Sequence, residues 1–265
     1  MENRKDTPGK VSAVAKAFRI LDCFTPIQTE LSLAQLSKML GIPKSTLLNQ
    51  IRTLEEAGFL IRLRDGQAYS LGYKIMELSY CAYSAIPVIQ GAIPIMENLM
   101  HATSETVYLT SHLGGRVFYM ECVYPTRQAI SYSVTGKTVP MHCTASGKAM
   151  LSYMSRDEVD TIIKEHGLPQ ITKNTITNYN QLLSELELSK ERGYAIDLEE
   201  ESLGVKCLAM AIRNNNGAVA GAISISGSII SMRDEQIPCY ADQLARACNL
   251  LSQYAPLFPA LRSEG

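Results

Sequence analysis

Between Ser32 and Ser70 the apolar positions change period from helical to alternating. Leu47, Ile51 and Leu54 recur at i, i+4 and i+7, so one stripe of a helix beginning near Pro43 is buried. Pro43 suits an early helical position, and Gly58 is read as the C′ glycine that ends the helix. At about 100° per residue, Ser45, Asn49 and Arg52 fall on the opposite face, with Thr46 beside them, and none is acidic. Upstream, Ser32-Leu33-Ala34-Gln35 has capping-box form and opens a helix through Leu40, which Gly41-Ile42 turns into the next. Downstream, Phe59-Leu63 and Gln67-Ser70 flank Arg64-Asp65-Gly66, an Asp-Gly hairpin signal. Helix, short turn, helix and Arg-bearing hairpin together predict a winged helix-turn-helix that binds a double-stranded DNA operator. The second helix would enter the major groove, with Arg62 and Arg64 reaching phosphates. The competing reading is a helical hairpin on a small sheet with a solvated polar face.

Before this module, Val11, Val14, Ala15, Phe18 and Leu21 or Ile20 make an amphipathic first helix. Lys16 and Arg19 on its flank are either phosphate neighbours or plain solvated charges. After it, Leu71, Ile75, Leu78 and Ala82 form one stripe, while Tyr73, Met76, Tyr80 and Tyr83 form a second. A helix apolar on two sides needs two partners. One is its own body; the other is the same helix of a second subunit, unless one chain buries both.

From Pro87 the pattern predicts a helix to about His101, then strands at Thr106-Leu113 and Arg116-Val123 around Gly114-Gly115. Short β-prone segments follow to about Val139. Helices are expected near Ala145-Tyr153, Arg156-Glu165 and Asn180-Arg192. Strands return at Tyr194-Asp197, Val205-Arg213 and Val219-Ser226, and a helix spans about Asp234 to Tyr254. The fold class is α+β: residues 1–70 a DNA-binding module, 71–85 a linker helix, and 86–265 an antiparallel sheet with packed helices.

Composition alters this picture little. The 265 residues are 46% hydrophobic and 19% charged, ordinary for a soluble globular protein. No apolar run approaches a membrane span and the N-terminus lacks a signal-peptide core, so a cytoplasmic protein is expected. The overall charge of -1 divides into +3 over residues 1–70 and -4 over the remainder, the sign expected of a DNA-binding head on an acidic body. Seven scattered cysteines without a CxxC pair point to reduced thiols, and no metal-ligand spacing occurs. No cofactor is expected.

The strand Val205-Ile212 alternates sharply. Leu208, Met210 and Ile212 make a bulky face; Val205, Cys207, Ala209 and Ala211 make a small one. In the following strand Ile223 and Ile225 alternate with Ala222, Ser224 and Ser226. Such a small, polar-tipped face suits either a small ligand or close helix packing. Pro140 to Lys148 reads as a loop entering a helix whose free N–H groups favour an anion, most simply a carboxylate. It is not a P-loop, because His142 and Ala149 stand where Gly and Ser/Thr belong. Lys148 is a ligand counter-charge or a structural or exposed lysine. Asp197 could accept a hydrogen bond from a ligand hydroxyl, and Glu199-Glu200-Glu201 is read as a solvated turn. An enzyme or redox sensor using Cys207, with His142 as base, is the alternative, but no Cys/His pair is juxtaposed by sequence.

The chain resembles the IclR family of transcriptional regulators over nearly its whole length. The likeness rests on Lys16-Ala17-Phe18-Arg19-Ile20-Leu21, Lys44-Ser45-Thr46, Tyr69-Ser70-Leu71-Gly72, Pro140-Met141-His142, Ala145-Ser146-Gly147-Lys148-Ala149, Gly193 to Asp197, and Gly204 to Ala209, in order and spacing. The resemblance implies an N-terminal winged helix, a dimerising linker helix and a C-terminal effector domain similar to GAF and PAS folds. It implies a non-enzymatic regulator, most often a repressor of a catabolic operon, working as a homodimer or tetramer. From the helix and hairpin read above, Lys44, Ser45, Thr46, Asn49, Arg52, Arg62 and Arg64 are the residues expected at DNA. One branch binds small oxo- or hydroxy-acids, and its ligand positions match Ala145, Ser146, Asp197, Cys207, Ser224 and Ser226 here. Where many members carry Arg-Leu in the recognition helix, this chain has Asn49-Gln50.

Overall fold

The computed structural model describes residues 12–63, 66–126 and 134–258. These divide into two compact units between Ala85 and Ile86. The first holds α1 (Ser12–Leu21), β1 (Leu31–Ser32), α2 (Leu33–Leu40), α3 (Lys44–Glu56), β2 (Leu60–Arg62), β3 (Ala68–Leu71) and α4 (Tyr73–Ser84). Ser32 caps α2 through the reciprocal bonds of a capping box with Gln35. Leu47, Ile51 and Leu54 of α3 are buried, packed with Ile20, Leu31, Leu36, Leu60 and Tyr69. Pro43 is the residue before α3 rather than inside it, and Gly58, at φ +75°, ends the helix as its left-handed C′ residue.

Two sequence expectations change here, one strand was not expected, and one open alternative is decided. Leu71 closes β3 opposite Leu60 instead of opening the linker helix, because the hairpin register carries one residue further. The two-residue β1, too short for an alternation signal, joins β3 to give the order β1-β3-β2. On α1 the packed side is Ala17, Ile20 and Leu21, whereas Val14 and Phe18 stay exposed, and Val11 lies outside the described residues. On α4 no residue is buried, so the single chain does not cover both its stripes.

The second unit holds α5 (Pro87–Thr103), β4 (Thr106–Leu113), β5 (Arg116–Val123), β6 (Thr138–Pro140), α6 (Ala145–Leu151), α7 (Arg156–His166), α8 (Tyr179–Arg192), β7 (Ala195–Leu198), β8 (Val205–Arg213), β9 (Val219–Ser228) and α9 (Ile237–Ser252). Its six strands run in the order β6-β5-β4-β9-β8-β7, and each neighbouring pair is antiparallel. Bulky side chains of one face form cross-strand rows such as Leu208, Ile225 and Val107, all fully buried, with α5 and α9 packed against the same strands. Helix α6 packs on the other face. The turn before α6 folds back on the helix because Gly147 has no side chain: a Cβ there would sit 2.1 Å from the Met141 carbonyl oxygen. Among the described residues no single helix is long and apolar enough to cross a membrane.

Candidate functional site

The antiparallel register sets out the open face of the sheet in rows. Asp197, Cys207, Ser226 and Thr106 are consecutive cross-strand partners; two residues along, Ala195, Ala209, Ser224 and Tyr108 form the next row. Both readings of the small face hold, on different stretches. Ala195, Ala209 and Ala211 are covered by Ala145 and Ala149 of α6. Cys207, Ser224 and Ser226 lie past that cover and line a cavity of about 910 Å³. Its wall also includes Ala145, Ser146 and Asp197, so all six positions expected at the ligand meet in one place.

Local chemistry fixes each of them. Thr144 caps α6, its hydroxyl accepting the Gly147 N–H at 3.1 Å. Helix geometry leaves the N–H groups of the preceding Ala145 and Ser146 without intrahelical acceptors. Asp197 Oδ1 accepts the Glu200 N–H at 2.7 Å, which orients the carboxyl. Burial pushes that carboxyl up to about 7, helped by the Glu200 and Glu201 carboxylates and opposed by the Glu200 N–H and the Lys148 ammonium. Cys207 Sγ donates to Ser226 Oγ at 3.1 Å, and burial pushes the thiol well above its ordinary range. This is the reverse of an activated nucleophile. His142 is no base for it: the ring is buried with Nε2 3.1 Å from the Pro169 carbonyl oxygen, and it does not line the cavity.

Of the readings of Lys148 the structural one holds, with a partner that was not foreseen. Lys148 is neither exposed nor a cavity residue; its side chain is 1% exposed and pairs with Glu200, with Glu185 at 4.0 Å. Glu200 is therefore buried, and the expected solvated acidic turn is corrected, because Thr172 and Thr175 tie its backbone carbonyl down. The small-residue pattern of β8 and β9 leads to an expectation of no aromatic cluster on this face, and that expectation is corrected, because β4 and β5 bring aromatic residues to the cavity. Tyr108 and Tyr119 line it and pack edge to face, ring centroids 5.2 Å apart at 82°. Tyr108 was legible as an alternate residue of its strand, but its meeting with Tyr119 depends on a bulge at Leu109/Thr110 that the sequence does not announce.

In the first unit, Lys44, Ser45, Thr46, Asn49 and Arg52 are all exposed along α3, opposite its buried stripe. Arg62 is held on its own surface by Glu55 at 3.4 Å, the Tyr69 hydroxyl at 2.9 Å and the Tyr69 ring face. Arg64 lies outside the described residues. Arg19 donates to the Leu40 carbonyl at 3.2 Å, so it serves the end of α2.

A family model described as bacterial transcriptional regulator IclR C-terminal matches residues 81–253, and the IclR helix-turn-helix domain matches 13–64. The HTH-type transcriptional regulator XynR of Escherichia coli is 30% identical, over 92% of this chain and 96% of its own length. The transcriptional repressor IclR of Escherichia coli is 26% identical over 90% of this chain and 88% of its length. Among solved structures, the Thermotoga maritima IclR matches with a TM-score of 0.69 and 30% identity, over 93% of this chain and 99% of that one.

Proposed function

This chain belongs to the IclR family of bacterial transcriptional regulators, and on that premise we propose that it is a homodimeric repressor of a catabolic operon, working in the cytoplasm, that responds to a small oxo- or hydroxy-carboxylic acid. The observation that supports the effector reading is the convergence of Ala145, Ser146, Asp197, Cys207, Ser224 and Ser226 on one cavity. Their chemistry is divided in a way that suits such an acid. Backbone amides at the start of α6 meet the carboxylate, and Asp197 and the serine hydroxyls meet an oxo or hydroxyl group. An amide analogue would leave a buried donor unpaired, at a cost of about 1–3 kcal/mol. Calorimetry with acids and their matched amides tests this. The acids should release heat on binding; an amide or a cation bound in preference to every acid would sink the reading.

The DNA surface is the polar face of α3, with Lys44, Ser45, Thr46, Asn49 and Arg52 toward the groove; Arg64, expected at a phosphate from the sequence, lies outside the described residues. Arg62, braced by Glu55 through Nε and by Tyr69 through Nη2, is exposed enough to add a phosphate contact. Arg52→Ala should weaken binding to every sequence alike and lower the salt slope by about one unit. Asn49→Ala should instead relax sequence preference, since an amide there is placed to read a base edge. Anisotropy titrations at several salt concentrations separate the two; identical effects from both variants would contradict these roles.

Dimerisation is proposed through α4. Tyr73, Met76 and Tyr80 are 77%, 68% and 72% exposed in the single chain, and apolar surface of that kind seeks a partner. A second copy also matches the two-fold symmetry usual for operators. Light scattering at micromolar concentration should find at least a dimer, and the variant carrying Met76→Glu with Tyr80→Glu should dissociate. A monomeric parent protein would refute the assignment.

A further inference from the structure

The outermost strands of the sheet, β6 and β7, are five strand intervals apart, which is about 24 Å across a flat sheet. Yet Lys137, next to β6, and Glu201, three residues past β7, form an ion pair at 3.1 Å. Fully extended, the two side chains and the bond between them reach about 14 Å, so the sheet curls to bring its two edges together. Both residues line the cavity described above, together with Cys207, Ser224 and Ser226 of β8 and β9. The pair therefore runs across the cavity from one edge of the sheet to the other.

Each end of this bridge is anchored in the cavity wall. The Lys137 carbonyl accepts the Tyr119 N–H at 3.0 Å, and the Gly136 N–H donates to the Tyr119 carbonyl at 2.8 Å, which fixes the lysine backbone on β5. Glu201 follows Glu200, whose N–H is held by Asp197 at 2.7 Å and whose carbonyl is held by Thr175 at 2.7 Å. The link between the two anchors is weaker than either. The Lys137 and Glu201 side chains are 47% and 28% exposed, and an ion pair so exposed adds little and is screened by salt. Such a strap opens at the ion pair first. Resting on the reading of this cavity as the effector site, we infer that Lys137 and Glu201 form a strap across it, which must part for a ligand to enter or leave. The pair then sets the rate of ligand exchange, not the choice of ligand.

The test needs no effector, because Cys207 lines the same cavity and reports access to it. In the full chain, alkylation of Cys207 by iodoacetamide at pH 8.5 is followed by peptide mass spectrometry, with the exposed Cys239 as internal standard. Lys137→Met should speed alkylation by about two- to fivefold, the range an exposed pair supports. The direction is diagnostic: losing an ammonium disfavours a nearby thiolate, so faster alkylation reports access and not reactivity. Lys137→Glu, which sets two like charges face to face, should be faster still, whereas Lys137→Arg keeps the pair and should stay at the parental rate. In 1 M NaCl the parent should approach the rate of Lys137→Met, which salt should leave nearly unchanged. Thermal melting of each variant checks that the fold is retained, and the salt response of the parent decides the matter even if a variant fails to fold. Cys207 alkylated at the parental rate in both Lys137→Met and Lys137→Glu, or a parent indifferent to salt, overturns the strap. These rates do not depend on which ligand the cavity takes. Failure here leaves the carboxylate reading standing, and failure of the calorimetry with acids leaves the strap standing.

Discussion

Lys148→Ala should destabilise the C-terminal unit by about 3–5 kcal/mol, the cost of leaving a buried charge without its partner. The side chain reaches Glu200 from the second turn of α6, and both ends of the pair are buried, at 1% and 7% exposure. Glu185 stands 4.0 Å from the same ammonium and is itself held by Arg192 at 2.6 Å. Removing the lysine therefore leaves Glu200 buried beside a second carboxylate. Burial already pushes the Glu200 carboxyl up, and the Lys148 ammonium is the chief force opposing that. Replacing both members, Lys148→Met with Glu200→Leu, should recover most of the loss, because an apolar pair of similar volume needs no compensation. Denaturant unfolding of the three proteins at pH 7 measures this. A loss below about 1 kcal/mol for Lys148→Ala would mean that the pair behaves as an exposed one.

Asp197→Asn should act in the opposite direction and with a clear pH dependence. The folded chain holds the Asp197 proton up to about pH 7, while the unfolded chain releases it near the ordinary aspartate value of about 4. Between those values the native state binds more protons than the unfolded one, so stability falls as pH rises. Below about pH 4 both states are protonated and the variant should match the parent. Above pH 7 the full penalty is present, and asparagine, which can still accept the Glu200 N–H, should be more stable by about 2–4 kcal/mol. Melting curves from pH 4 to 8 follow the difference directly. A constant difference across that range would show that the Asp197 carboxyl is not held protonated. The same substitution removes a group that touches the proposed effector, so affinity for an acid should fall even as the fold gains stability.

What the sequence made legible follows from how local each signal is. The stripe Leu47, Ile51 and Leu54 and the capping box at Ser32 act within two turns of chain, and α3 and α2 form where they indicate. The alternation in Val205-Ile212 likewise gave both faces of β8. It could not say which part of the small face a helix would cover, because that depends on where α6, sixty residues away, begins. The Lys148–Glu200 pair was missed for the same reason: its partners are 52 residues apart, and neither periodicity nor spacing links them. The charges of Arg19 and Arg62 were visible in the sequence, but their partners in the fold, Leu40 and Glu55, were not. The six ligand positions were named from a family resemblance joined to the small face. Tyr108 and Tyr119 fell outside both, since neither the hairpin register nor its bulge can be read from spacing.

Binding of an acid in the C-terminal cavity should change the grip of α3 on DNA. One measurement reaches it directly: anisotropy titration of the full chain on the DNA site it enriches from a random pool, with and without the tightest-binding acid at saturation. An enriched two-fold site is expected, with an acid-induced change in affinity of about tenfold, within the usual range of coupling between sites. Failure to enrich any site, or an affinity for DNA that is the same whether the cavity is filled or empty, would contradict it.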